Sequence, residues 1–403
     1  MIKLGQIIQS IKPSATLSAS ARAQELKAQG RDIISLTVGE PDFDTPDHIK
    51  SAAIDAMNKG LTKYTAAGGI LPLKKVLVEK FRRDQDTDYA PAQIVVTNGG
   101  KQAIAAVMSV LLNSGDEVII PAPYWTSYPD MVMLAGGNPV IVRTRADEGY
   151  LMTAQVLESA ISPRTKMIII NSPSNPTGYC YSKAELNALA EVIRRHPQGE
   201  NIVILSDEVY EYLTYDNIRP LSIAQVAPDL KEQIVIVNAF SKAYSMTGWR
   251  VGYLAAPLSI ARAVDMYQSQ FTSNVCSIAQ YAALHAYDDN YAFPKMMLIE
   301  FEKRRQIVID KVANISGLSL PVNPRGAFYA FIRTEGLIGK RNGDIVIKSG
   351  TEFSSYLLEK FDIAVVAGEA FGDEHAFRMS FALGTESLIK ALHRISQAVT
   401  SVN

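Results

Sequence analysis

Cysteine is nearly absent from this chain. Cys180 and Cys276 are the only two in 403 residues, and the five histidines are scattered. This excludes a disulfide framework, offers no metal-ligand spacing and points to a reducing compartment. Neither sign of charge is in excess: forty Lys and Arg stand against forty-one Asp and Glu, a formal net charge of -1. Such balance excludes a general polyanion-binding surface, so no nucleic-acid partner is expected, although a local basic pocket remains open. No run approaches the roughly 18 apolar residues that a membrane span needs. The first twenty residues lack an apolar core followed by a small-residue cleavage site. No membrane partner is expected, and the cytoplasm is the expected location. Internal repeats, low-complexity tracts and Pro/Ser-rich linkers are also missing. What is present is core-forming material, 47% apolar and 20% charged, which is ordinary for a globular protein. The length exceeds what one hydrophobic core usually serves, so two unequal lobes are expected.

Short β-rich runs alternate with helix-length amphipathic runs from about Ile33 to Pro257. The strand candidates are Ile33 to Thr37, Ile94 to Thr97, Glu117 to Ile120, Pro139 to Arg143, Lys166 to Asn171, Asn201 to Ser206, Ile234 to Asn238 and Trp249 to Ala255. Several are apolar on both faces, as in "MIII", "IVIL" and "IVIV", which suits strands covered on two sides. Helix signals fall between them, at Pro46 to Lys59, Gln102 to Leu112 and Ser182 to Arg195. Beyond Pro257 long helical runs at Ile260 to Ser269, Ser277 to Asp288 and Pro294 to Ile315 precede a strand at Ala327 to Ile332. Helix, strand, strand and helix follow at Thr351 to Lys360, Ile363 to Ala367, Phe377 to Phe381 and Glu386 to Thr400. The reading is α/β: a mostly parallel sheet of seven or so strands with helices on both faces, plus a smaller α+β domain. Residues 46–295 are expected to form the large domain, and residues 1–45 with 296–403 the small one.

Four segments and two single residues carry candidate chemistry. Lys242 lies in "SKAYSMTGWRVG", after the strand candidate ending near Asn238, and loops at the carboxyl ends of parallel strands are where α/β proteins bind ligands. At pH 7 only about one free lysine in 2,500 is neutral, but burial or a neighbouring cation such as Arg250 makes lysine a usable Schiff-base former. Alone, Lys242 reads equally as a solvated loop lysine. "NSPSNPTG" after the "MIII" strand is a turn, or a proline-stiffened loop that aims the Asn175 amide into a cleft. In "SDEVYE", Asp207 and Tyr210 would share one side of a helical turn. There the carboxylate can pair with a protonated ring nitrogen, or simply cap a solvated helix start. "NGGKQ" sets Gly99, Gly100 and Lys101 at a helix start, a plausible phosphate cradle. It is not a P-loop, and no GxGxxG follows the early strands, so nicotinamide cofactors are disfavoured. Trp125 offers a flat face for stacking, or is core. Arg378, a charge inside an apolar strand pattern, needs a substrate carboxylate or a structural salt bridge.

Taken in order, "VGEPDFDTP", "KYTAAGGI", "TNGGKQA", "PYW", "NSPSNPTG", "SDEVYE", "SKAYSMTGWRVGY", "RGAFY" and "FRMSFA" resemble the class I aminotransferases of the fold-type I pyridoxal-phosphate superfamily. The resemblance implies pyridoxal 5′-phosphate as cofactor and amino-acid and 2-oxo-acid substrates. Lys242 then matches the Schiff-base lysine and proton carrier, and Asp207 the acid beneath the pyridine nitrogen. Asn175 and Tyr210 match the pair on the ring hydroxyl, and Trp125 the stacking aromatic. Gly99, Gly100, Lys101, Ser241 and Arg250 match phosphate-loop positions. Arg378 matches the arginine for the substrate α-carboxylate, with Gly39 in the loop above it and Trp125 and Asn175 also facing substrate. Tyr64 matches a tyrosine that reaches the neighbouring subunit's phosphate, which implies a homodimer with shared sites.

"IKPSAT" and "GGKQA" resemble the bacterial beta subgroup of aspartate aminotransferases. The implied reaction is ping-pong transfer from L-aspartate to 2-oxoglutarate. Aromatic, alanine or prephenate transamination and a lyase of the same fold are the alternatives. Residues 268–274 contain no arginine for a second carboxylate, so Lys101 and Lys12 are its expected partners. A cofactor-sensing regulator would append a DNA-binding domain; the resemblance begins within the first twenty residues, which favours the enzyme.

Overall fold

The computed structural model describes residues 2–403. Its largest sheet has seven strands: β1 (Ile94–Thr97), β2 (Glu117–Ala122), β3 (Asn138–Arg143), β4 (Thr165–Asn171), β5 (Val203–Asp207), β6 (Ile234–Ala239) and β7 (Gly252–Ala255). In space they run β1-β7-β6-β5-β4-β2-β3. From β3 through β6 every pairing is parallel, and β7 is the one antiparallel strand, wedged between β6 and β1.

The apolar runs explain the layering. Along each central strand, successive side chains enter opposite cores, as the two-residue pleat requires. Ile168, Ile204, Ile234 and Ile236 pack with helices Leu71–Gln85 and Lys183–Arg195. Met167, Ile169, Leu205, Val235 and Val237 pack with helices Gly100–Leu111 and Leu258–Phe271. Both faces are covered, so both must be apolar. Each such side chain contributes about 1.5–3 kcal/mol by leaving water. The edge strand β3 is only half-buried, as its interrupted sequence foretells.

A second core gathers helices Ala292–Ala313, Gly350–Phe361 and Thr385–Thr400 around the antiparallel strands β8 (Tyr329–Arg333), β9 (Val366–Ala367) and β10 (Ala376–Ser380). β10 lies between β9 and β8, with Arg378 opposite Phe331 and Val366. Residue 295 falls inside the helix Ala292–Ala313.

Three local expectations change. The run Ile33 to Thr37 contributes only Ile34–Ser35, which pair with Ile363–Ala364 rather than joining the large sheet. The run Ile363 to Ala367 is divided at Val365, because its first half pairs with that N-terminal strand and its second with β10. The run from Trp249 becomes strand only at Gly252; Arg250 takes a left-handed conformation with φ 57° and turns the chain back toward the site. Helices Ala15–Ala28 and Leu71–Gln85 have no counterpart among the sequence expectations.

The second of those helices carries a buried charge. Lys80 is 0% exposed and donates to Glu211 at 2.6 Å. Glu211 also accepts from Asn238, and Glu208 accepts from Gln85, Ser206 and Ser222. Burial pushes both carboxyl groups above their usual range, with Lys80 opposing. Lys80→Met strands two buried acids, so it should lower unfolding free energy by about 3–5 kcal/mol. Urea denaturation of the purified variant measures this. An unchanged midpoint would show that the pair contributes nothing.

Among the described residues, no helix is long and apolar enough to cross a membrane.

Candidate active site

Where β4, β5 and β6 end, the chain encloses a cavity of about 580 Å³. Gly39, Gly100, Lys101, Trp125, Asn175, Asp207, Tyr210, Ser241, Lys242, Arg250 and Arg378 all line it. They come from segments more than three hundred residues apart, brought together by the sheet's parallel order.

Lys242 sits in a single helical turn, Phe240–Ala243, that starts as β6 ends. It is not a solvated loop lysine. Its ammonium donates to the Gly39 carbonyl and lies 6.0 Å from the Phe328 ring centre. Burial lowers its pKa to about 8; Glu40 opposes that, while Arg378 and Arg250 add to it. At pH 7 a lysine of that pKa is neutral about one time in ten, far more often than a free one.

Asp207 closes β5, opposite Asn171 on β4. Its Oδ2 accepts from the Tyr128 hydroxyl at 2.6 Å, and its Oδ1 from the Val209 N–H at 3.3 Å. Burial pushes this carboxyl up, and Tyr128, the Val209 N–H and Lys242 hold it down. It is neither solvated nor a helix cap: residues 208–212 turn without forming a helix. Tyr210 nevertheless faces the same cavity.

Asn175 is pinned from behind, its N–H donating to the Asn171 side chain at 2.8 Å. Its Oδ1 accepts from Arg378 Nη1 at 3.0 Å, which leaves its amide hydrogens for the cavity. Arg378 itself is only 2% exposed. Its Nη2 donates to the Thr37 carbonyl at 2.6 Å, and its guanidinium lies 4.4 Å from the Tyr329 ring centre and 5.0 Å from that of Phe371. Among the described residues no carboxylate pairs with it, and its Nε has no partner. The structural salt bridge is therefore excluded, and a buried guanidinium without an anion is costly. An arriving carboxylate would relieve that cost with a two-pronged contact.

A helix start and a second arginine line the same cavity. Gly99, with φ 84°, starts the helix Gly100–Leu111, whose first N–H groups are unpaired by construction. A Cβ on Gly252 would stand 2.6 Å from the Gly100 nitrogen, so only glycine lets β7 approach this turn. Arg250 donates to the Thr247 carbonyl at 2.8 Å and the Asn98 carbonyl at 3.3 Å, and packs directly over Gly99. The helix start, Ser241 and Arg250 thus share one cavity and offer the backbone N–H groups, hydroxyl and guanidinium that a phosphate cradle needs. Trp125 also lines the cavity, with the Lys101 ammonium 5.1 Å from its ring and Tyr128 packed edge-on at 5.3 Å.

Three expected residues do not line the cavity: Gly99, which sits at the helix start behind Arg250, Tyr64 and Lys12. Tyr64 is 91% exposed. Lys12 is exposed near the mouth, where both it and Lys101 face Asp130, whose carboxyl is pushed up by burial against their pull. Two residues had no role from sequence. Tyr128 follows Trp125 by three residues, and Tyr329 ends "RGAFY", but only tertiary contact shows what their hydroxyls reach.

Comparison with known proteins places this arrangement. The family described as "Aminotransferase class I and II" matches residues 31–395. An aspartate/prephenate aminotransferase of Cereibacter sphaeroides is 48% identical over 98% of both chains. Among solved structures, the aspartate aminotransferase of Rhizobium meliloti superimposes with TM-score 0.96 at 43% identity, covering 100% of both chains. That of Thermus thermophilus with maleate gives 0.91 at 39% identity, covering 99% of this chain and 100% of the other.

Proposed function

The chain belongs to the class I and II aminotransferases, and from that premise we propose that it binds pyridoxal 5′-phosphate at Lys242 and moves the amino group of L-aspartate to 2-oxoglutarate. The observation that carries this reading is the neighbourhood of Lys242. A lysine with lowered pKa, a buried acid and a buried, acid-free arginine share one cavity with the groups of a phosphate cradle.

The residues present fit the cofactor. Asp207 would hold the proton of the ring nitrogen, and the Tyr128 hydroxyl favours its ionised form against the burial that pushes the carboxyl up. Asn175 and Tyr210 would meet the ring hydroxyl, Trp125 the ring face, and Gly99, Gly100, Lys101, Ser241 and Arg250 the phosphate. When bound, the cofactor supplies an electron sink for the charge that develops at the substrate Cα. The chain does the rest. Arg378 grips the α-carboxylate in its fork, and the Gly39 loop covers it. With the cofactor bound, Lys242 Nζ would be placed to take the Cα proton and to return it within the same cavity. Oxaloacetate leaves, and 2-oxoglutarate is converted to L-glutamate by the reverse path.

Lys101, with Lys12 at the mouth, supplies charge for the distal carboxylate. The Thermus thermophilus relative was solved with maleate, itself a dicarboxylate. An ammonium is a point charge and less exacting than a guanidinium, which fits acceptance of prephenate as well, named for the Cereibacter sphaeroides relative. With pyridoxal 5′-phosphate kept saturating, to offset any loss at the phosphate, Lys101→Ala should therefore raise KM for aspartate about tenfold and for alanine hardly at all. Equal losses on both would remove Lys101 from distal recognition.

The exposed Tyr64, with Met266 and Phe271 also exposed, supports a homodimer in which Tyr64 completes the partner's phosphate site. We further assign residues 46–295 to a large domain and residues 1–45 with 296–403 to a small one. Incubating purified protein with pyridoxal 5′-phosphate, L-aspartate and 2-oxoglutarate tests the activity: oxaloacetate and L-glutamate should form in equal amounts. Aspartate consumed without glutamate formed would indicate a lyase instead.

A further inference from the structure

Tyr329 sits where three parts of the site meet. It stands on β8, and its hydroxyl lies 2.8 Å from that of Tyr210 in a buried contact. Its ring lies under the Arg378 guanidinium, 4.4 Å away. The loop before the large sheet passes directly over its hydroxyl: a Cβ on Gly39 would collide with that oxygen. Only glycine therefore fits there, for a reason set by Tyr329.

Two phenols joined by one hydrogen bond hold two protons between them. If Tyr210 donates to Tyr329, it has no proton left for a ligand in the cavity. If Tyr329 donates, the Tyr210 proton is free to point inward, and the chain of hydroxyls strengthens it as a donor. Arg378 decides between these. A cation beside the Tyr329 ring makes that phenol the better donor. We propose that Tyr329 is a positioning residue that orients the Tyr210 hydroxyl toward the cofactor's ring oxygen and relays to it whether Arg378 holds a carboxylate. The proposal rests on the assignment of Tyr210 to the ring hydroxyl.

The surrounding charges agree. Burial pushes both phenols up and Arg378 pulls both down, but at Tyr329 Arg378 is the largest influence after burial, whereas at Tyr210 it ranks behind Tyr329, which pushes that phenol further up. The other ionisable groups around the pair are Asp207, which also pushes Tyr210 up, Lys242, which stands over the neighbouring Phe328, and Glu40, which acts on Lys242 from the Gly39 loop. With Arg378 uncompensated, Tyr329 donates strongly and the ring oxygen is stabilised as an anion. A carboxylate on Arg378 cancels that charge, weakens the relay and makes the ring oxygen more basic. Asn175, bonded to Arg378 directly, offers a parallel route, so removing Tyr329 should weaken the coupling without abolishing it.

The test follows the pH titration of the bound cofactor's absorbance in holoenzyme, with and without saturating succinate, an unreactive dicarboxylate. Tyr329→Phe should raise the midpoint of the free holoenzyme by about half a pH unit. It should also reduce the succinate-induced rise to less than half of the wild-type value. On a Tyr210→Phe background the same change should move the midpoint no further, because there is no hydroxyl left to relay to. Wild-type titration in Tyr329→Phe, or shifts of the two variants that simply add, would overturn the proposal. Wild-type protein showing no cofactor absorbance at all would instead sink the underlying cofactor assignment, and the two failures are distinguishable. Thermal midpoints of the apoproteins, expected to be unchanged by loss of one hydroxyl, separate the relay from a folding defect.

Discussion

Replacing Lys242 with alanine should lower kcat/KM for aspartate by about four orders of magnitude or more. A positioned acid–base group contributes about 10²–10⁴-fold by itself, and on the proposed reading Lys242 would also be the covalent anchor, whose loss adds to that. Its environment suits both tasks. The cavity lowers its pKa to about 8 by burial, so it can be neutral to attack a carbonyl and still accept a proton. The sign of the pH dependence follows. Below about 8 the side chain is protonated, so capture of pyridoxal 5′-phosphate by apoprotein should slow about tenfold per pH unit there and level off above. Stopped-flow absorbance reads the capture rate, and a coupled assay reads the turnover. A Lys242→Ala protein with wild-type turnover would end the proposed mechanism.

The second large effect belongs to Arg378. Its loss should lower kcat/KM for aspartate by about 10²–10³-fold, the range expected when one partner of a buried charged contact is removed. Arg378→Lys should recover only part of this, since an ammonium cannot make the forked contact. The change should act on the α-carboxylate. The preference for aspartate over β-alanine, which lacks that group, should collapse in Arg378→Ala, and competition kinetics would show it. An equal loss on both amines would mean that Arg378 serves the fold instead. Such a role would be hard to reconcile with a buried guanidinium that has no acid partner and whose Nε is unbonded.

Much of this site could be read before the fold. Lys242, Asp207 and Asn175 stand in local patterns that place them at or just beyond strand ends, and Arg378 is a charge inside an apolar strand; local pattern is what sequence displays. Each had an ordinary alternative, however. Burial removed the solvated readings of Lys242 and Asp207, and burial depends on what packs around a residue. Lys80 shows the limit: among the charges of "LKKVLVEKFRRDQ" it reads as one more solvated lysine, because its partner Glu211 is 131 positions away. Tyr128 and Tyr329 escaped notice for the same reason, since their hydroxyls act on Asp207 and Tyr210 through contacts between distant segments. The divided strand at Val365 was hidden too, because two different neighbours compete for one apolar run.

The central claim is that this cavity exists to hold a cofactor on one particular lysine among many. Reduction of the purified holoprotein with borohydride, followed by proteolysis and mass spectrometry, addresses it directly. The pyridoxyl phosphate mass should appear on the peptide containing Lys242 and on no other. The same label on Lys101, Lys12 or any other lysine, with the Lys242 peptide unmodified, would contradict it.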